Sequence, residues 1–149
     1  MNFSNELKAT LQIVIANTYQ MYFKAHSYHW NVEGIYFSQL HDFFGDLYQE
    51  VFVAVDVAAE QLRTLDEYAP GSLSEIIKQA TVSEDDAKPR DCHVMLENLL
   101  DANEEVMVSL NKLLEQASNE NVQGLADWAA GRIDTHAKHR WMIRSHLKG

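Results

Sequence analysis

Apolar residues recur along this chain in steps of four and three, through four long stretches. From about 4 to 32 they fall at Leu7, Leu11, Val14, Met21, Ala25, Tyr28 and Val32, with Thr18 as a tolerated polar residue in register. Such spacing draws one stripe along a helix, and Gly34 is positioned to stop it. From about 36 to 67 the stripe continues as Phe37, Leu40, Phe44, Leu47, Val51, Ala54, Ala58, Leu62 and Leu65, ahead of a Pro70-Gly71 break. "SLSE" at 72–75 is a capping box that predicts a short helix over about 73–79. The polar stretch 81–90, which holds the second proline, predicts a loop. Asp91 is placed to cap a third long helix over about 92–117, with Leu96, Leu99, Asn103, Val106, Leu110, Leu113 and Ala117 on its seam. A fourth helix is predicted over about 122–147.

Helices of this length are each about 40 Å long. They predict an all-α fold, a four-helix bundle with a short helix in the long connection between the second and third helices, and one domain spanning 1–149. The second helix also carries Phe43, Phe52, Val53, Val55 and Val57. That is more apolar surface than a lone bundle buries, so the subunits are expected to associate.

Charge narrows the partners. The formal net charge is −10, from 12 Lys+Arg against 22 Asp+Glu. This balance opposes nucleic-acid phosphates and anionic membranes and suits cations. No apolar run is long enough to span a membrane. The opening "MNFSNELKATLQ" has neither the basic nor the apolar region of a signal peptide, and the lone Cys92 suits a reducing compartment, so a cytoplasmic location is expected.

The chemistry-bearing residues lie on the first two helices. At about 100° per residue, Asp56 stands about 60° around the second helix from His41, and Glu60 about 100°. Asp56 and Glu60 are one turn apart within the apolar run "VFVAVDVAAEQL". Carboxylates in such a run need a counter-charge or a proton. A cation with mixed imidazole and carboxylate ligands would serve, with iron a natural candidate. The other reading is a helix at a dimer interface, its acids paired to Arg63 or lysines. His29 sits near the end of the first helix and reads either as a packed histidine or as a ligand. His26/His29 and His136/His139 are i, i+3 pairs that could each clip a surface metal.

"KAHSYHWNVEGIYFSQLH" followed by "DVAAEQL" resembles the Dps family, the ferritin-like miniferritins. The matching residues are His29-Trp30-Asn31-Val32-x-Gly34, Phe37, Leu40-His41 and, fifteen residues after His41, Asp56-x-x-x-Glu60. The ending "RWMIRSHL" resembles the family's last helix, and the capping box falls where the family has its short helix. The resemblance implies a hollow homo-dodecamer that oxidises iron(II) with hydrogen peroxide or oxygen and stores the ferric product, protecting against oxidative stress. It also implies a ferroxidase site between two subunits, with His29 and His41 from one and Asp56 and Glu60 from the other. An iron entry pore at the start of the last helix would use Asp127, with Glu120 as a weaker choice.

Two departures qualify this expectation. The family usually has a carboxylate four residues after the second histidine, where this chain has Gly45. Asp42 and Asp46 point about 100° and 140° away from His41 and do not replace it. One iron position is therefore expected to be firm and the other weak, with Gly45→Asp restoring the latter. The alternative is a shell or scaffold with a degenerate site. Family members that bind DNA directly usually carry a Lys/Arg-rich tail. Here the first ten residues hold only Lys8, and twelve copies at −10 each carry a formal −120, so direct DNA binding is not expected.

Overall fold

The computed structural model describes residues 2–149. Five helices account for most of them: α1 (Asn5–Asn31), α2 (Phe37–Thr64), α3 (Leu73–Gln79), α4 (Cys92–Asn119) and α5 (Gln123–Leu147). The four long helices form the bundle, with α1 packed on α2 and on α4, α4 on α5, and α3 laid against α1. No strand occurs among the described residues. No helix is long and apolar enough to cross a membrane.

The helix ends follow local chemistry. The Ser4 hydroxyl accepts the Leu7 N–H, Ser72 accepts that of Glu75, and the Asp91 carboxylate accepts those of His93 and Val94. The second helix ends earlier than its sequence break predicts. It stops at Thr64, and Asp66 takes a left-handed φ of 62°, well before Pro70-Gly71. Asn121, at φ 61°, turns the chain out of α4 in the same way. Between α1 and α2, Gly34 adopts φ 107°, which only glycine holds without strain, and the short turn there brings the end of α1 beside the start of α2.

The predicted stripes are the core. Leu7, Leu11, Val14, Leu62, Leu99, Leu110 and Leu113 lie among the fully enclosed side chains. Thr18 and Asn103 are buried with them. Phe37 is the exception in the second stripe, at 44 % exposed, because it lies at the open end of the bundle. The extra apolar residues of α2 divide: Phe43 is buried, whereas Phe52, Val53 and Val57 face outward.

The polar loop 81–90 is pinned to the bundle. Asn17 on α1 accepts the Thr81 and Val82 N–H groups. The Asp85 carboxylate receives a two-pronged contact from Arg90, the Tyr28 hydroxyl and the Asn98 amide. The Arg90 guanidinium holds Asp85 well below the usual carboxylate range. Burial, then the hydrogen bond to Asp85, pushes the Tyr28 phenol up. Tyr28 immediately precedes His29, so this anchor also fixes the last turn of α1.

Candidate metal centre

His29 lies in the last turn of α1 and His41 in the second turn of α2. The Gly34 turn sets them face to face, their rings stacked with centroids 3.8 Å apart and planes within 15°. Each Nδ1 is 2.7 Å from the other residue's backbone carbonyl. A carbonyl can only accept, so both Nδ1 atoms carry the proton, and in each neutral ring Nε2 holds the free lone pair. No hydrogen bond among the described residues reaches either Nε2. The His29 carbonyl is one of the orphaned acceptors at a helix C-terminus, which is why His41 finds it available. Fixing one ring nitrogen on a carbonyl is how proteins orient a metal-binding imidazole and set its tautomer. Phe37 closes the stack on His41, with centroids 5.0 Å apart.

Beside the pair stands an aromatic wall that the spacing of the sequence does not reveal. His26 stacks on Tyr48 at 3.8 Å and 7°, packs against Trp30 at 4.1 Å, and has its Nδ1 2.9 Å from the Tyr22 hydroxyl. Tyr48 comes within 5.4 Å of the His29 ring, centroid to centroid. His26 and His29 therefore do not form a surface clip: one belongs to the wall and the other to the stacked pair.

Gly45 is buried one turn beyond His41, where a carboxylate was expected to be missing. The space there is already taken. A Cβ built on Gly45 would sit 3.1 Å from both Cε1 and Nδ1 of His29.

Asp56 and Glu60 are exposed on α2. Fifteen residues along the helix put Asp56 about 22 Å from His41. One chain thus brings His29 and His41 together and leaves Asp56 and Glu60 apart from them. No cluster of three or more His, Cys, Asp or Glu side chains able to hold a metal occurs among the described residues. The acids share their outward face with Phe52, Val53 and Val57, so within a single chain the apolar run does not bury them.

Asp127 is exposed near the start of α5. Glu120 is otherwise engaged: it caps α4 and accepts hydrogen bonds from the Ser4 N–H, at 2.9 Å, and the Ser4 hydroxyl. Those bonds hold its carboxyl below the usual value.

The His136/His139 pair has a different fate. Arg132 can only donate, so at 2.8 Å it makes His136 Nε2 an acceptor. His136 Nδ1–H then donates to Asn103 Oδ1 at 2.8 Å, and Asn103 Nδ2 donates to the His136 carbonyl. His139 Nε2–H donates to Glu50, which Arg132 also grips with two bonds. Burial, then the Arg132 charge, pushes His136 well below the usual imidazole range. Burial pushes Glu50 up, but the bonds from His139 and Arg132 outweigh it and hold the carboxyl at about 2. Every nitrogen of His136 is spent inside the bundle, so this pair is not a surface clip. Glu50, the centre of the network, gave no signal in the sequence because its partners lie more than 80 residues away.

Similarity to known proteins agrees with this architecture. A family profile described as a ferritin-like domain matches residues 8–149. A low temperature-induced protein of Nostoc is 30% identical over 136 residues, 91% of this chain and 76% of that protein. DNA protection during starvation protein 2 of Bacillus anthracis is 28% identical, covering 89% of this chain and 90% of that one. The crystal structure of Dps from Staphylococcus aureus superposes with a TM-score of 0.92 at 30% identity, over 100% of this chain and 99% of that one. With the helix order and the bundle in keeping, the chain belongs to the ferritin-like proteins of the Dps, or miniferritin, family.

Proposed function

We infer that the function at its coarsest is iron storage and protection against oxidative stress, as membership of the family suggests. We propose, more finely, that the chain is a ferroxidase whose centre is shared between two subunits of a closed cytoplasmic dodecamer. His29 and His41 of one subunit would meet Asp56 and Glu60 of the next. The observation that carries this reading is the reciprocal histidine clamp. Two imidazoles are locked in one tautomer with both Nε2 lone pairs unspent, while the carboxylates they need, Asp56 and Glu60, stand on an exposed apolar face about 22 Å and about 28 Å along the helix from His41. A second copy of the chain covers that face and supplies the acids at once. Iron(II) is the substrate, and imidazole with carboxylate suits it. Two iron(II) ions each give one electron to one peroxide, whose O–O bond breaks to yield two hydroxides, so no odd electron is released as hydroxyl radical. Oxygen is the slower oxidant in this reading. A scaffold would need neither the clamp nor the acids. Asp127 is the proposed lining of the iron entry path. DNA is not a partner, and duplex DNA in chelator-treated buffer should show no mobility shift.

The test is complementation. A His29→Ala/His41→Ala chain and an Asp56→Ala/Glu60→Ala chain should each lose more than about 100-fold in initial iron(II) oxidation rate with peroxide, about 2.7 kcal/mol of transition-state stabilisation. Shells reassembled from a mixture should regain activity, because half of the shared sites in a mixed pair are then intact. Two inactive parents whose mixture stays inactive would refute the shared centre.

A further inference from the structure

We infer that Gly45 is a positioning residue for the histidine pair: its missing side chain is the space in which the His29 ring reaches α2, and not the scar of a lost ligand. The inference rests on the proposed role of His29 as a metal ligand and adds what makes that ligand's geometry attainable.

The carbonyl of His41 serves two donors. Inside α2 it already accepts the N–H of residue 45, four residues on, as carbonyls in the interior of a helix do. His29 Nδ1–H comes to the same oxygen at 2.7 Å. A ring that shares a carbonyl with the N–H of residue 45 must pass beside the α-carbon of residue 45. There a Cβ would stand 3.1 Å from Cε1 and Nδ1, the two ring atoms nearest the hydrogen bond. That is inside ordinary van der Waals contact. The ring has little freedom to retreat. Its Nδ1 is held on the carbonyl, the His41 ring is stacked 3.8 Å away, and the Tyr48 centroid is 5.4 Å away. A side chain at 45 therefore presses on the hydrogen bond that sets the tautomer of His29. Glycine inside a helix lowers its stability, and Gly45 sits in a buried turn of a 28-residue helix where alanine would otherwise be preferred. Its presence there is explained by the ring it admits.

This reading and the lost-ligand reading predict opposite effects of a side chain at 45. The probe is cobalt(II) alone, titrated anaerobically into the assembled full-length protein and followed by its visible spectrum. Gly45→Ala and Gly45→Asp are both expected to weaken cobalt(II) binding more than tenfold and to lose the band pattern that His29→Ala also removes. Gly45→Ala binding cobalt(II) like the wild type, or Gly45→Asp binding it more tightly, would overturn the inference. A metal-free measurement stands beside it. Gly45→Ala should raise the melting temperature in a His29→Ala background, where the ring is gone and helix propensity acts alone, and should fail to raise it when His29 is present. Equal shifts in the two backgrounds would sink the positioning role. A cobalt(II) spectrum indifferent to His29→Ala would instead strike the ferroxidase reading, so the two failures are told apart. If Gly45→Ala fails to fold while the double variant folds, the clash is shown directly.

Discussion

Two histidine pairs in this molecule, His29/His41 and His136/His139, have opposite chemistry. His136 is fully buried, and both its nitrogens are committed, one as donor to Asn103 and one as acceptor from Arg132. His29 and His41 are half-buried, and each commits only Nδ1, to a carbonyl. A histidine is a metal ligand when one nitrogen is fixed and the other is left with a lone pair, and a structural residue when both are consumed. Residue type is the same in either case. The partners decide.

That contrast can be broken from the structural side first, where the largest effect on stability is expected. Asn103→Leu removes the acceptor of His136 Nδ1–H. The ring cannot switch tautomer to escape, because Arg132 still needs Nε2 as an acceptor. A buried donor left unpaired costs about 1–3 kcal/mol, and the bond to the His136 carbonyl is lost as well. Denaturant unfolding should show a loss of about 2–3 kcal/mol with cobalt(II) binding unchanged. A variant that unfolds like the wild type would mean that the network is not holding the bundle.

Acid should act on the same network in two stages. The folded His136 lies below its ordinary value near 6.5, so the unfolded chain binds the proton more readily. Its contribution to stability is complete above 6.5 and declines as the pH falls through that value. Glu50 is held at about 2 against an ordinary 4.5, so its contribution is complete above 4.5 and declines as the pH falls towards 2. The melting temperature should therefore drop below pH 6.5 and drop further below 4.5. In Glu50→Gln the lower stage should shrink to what Asp85 and Glu120 still contribute, while the upper one persists. A single transition that ignores Glu50→Gln would contradict this assignment.

The smallest effect sharpens the contrast on the other side. His26 is the i, i+3 neighbour of His29 but belongs to the aromatic wall, its Nδ1 hydrogen-bonded to the Tyr22 hydroxyl. His26→Phe should keep the stacking on Tyr48 and change cobalt(II) affinity less than about threefold, under about 0.7 kcal/mol. A loss approaching that of His29→Ala would make His26 part of the centre.

The helices were legible because their information is local. A stripe at 3.6-residue spacing needs only one face to be apolar, and Ser4, Ser72 and Asp91 cap the amides of their own first turns. The end of α2 was less so: Asp66 adopts the left-handed conformation without a glycine, and the sequence pointed instead to Pro70-Gly71. Of the candidate site, the residues and their division between two subunits were expected from the family motif, but the stacking of the histidines and their bonds to each other's carbonyls were not. His29 and His41 meet within one chain. Asp56 and Glu60 lie along the same helix as His41 and remain far from it, because a straight helix separates residues by a fixed rise that no side chain can span.

A bundle of four long helices, an acidic chain suited to cations, and a set of histidines and carboxylates with the spacing of one family can all be read from the amino-acid order. The amino-acid order does not say which nitrogen of each histidine is free, that Glu120 is spent on Ser4, or that Gly45 lies under the His29 ring. Helical periodicity is written within a few residues of chain and survives being read one turn at a time. Hydrogen-bond partners and steric room are set between segments tens of residues apart, at distances of a few ångströms, and exist only once the helices have packed.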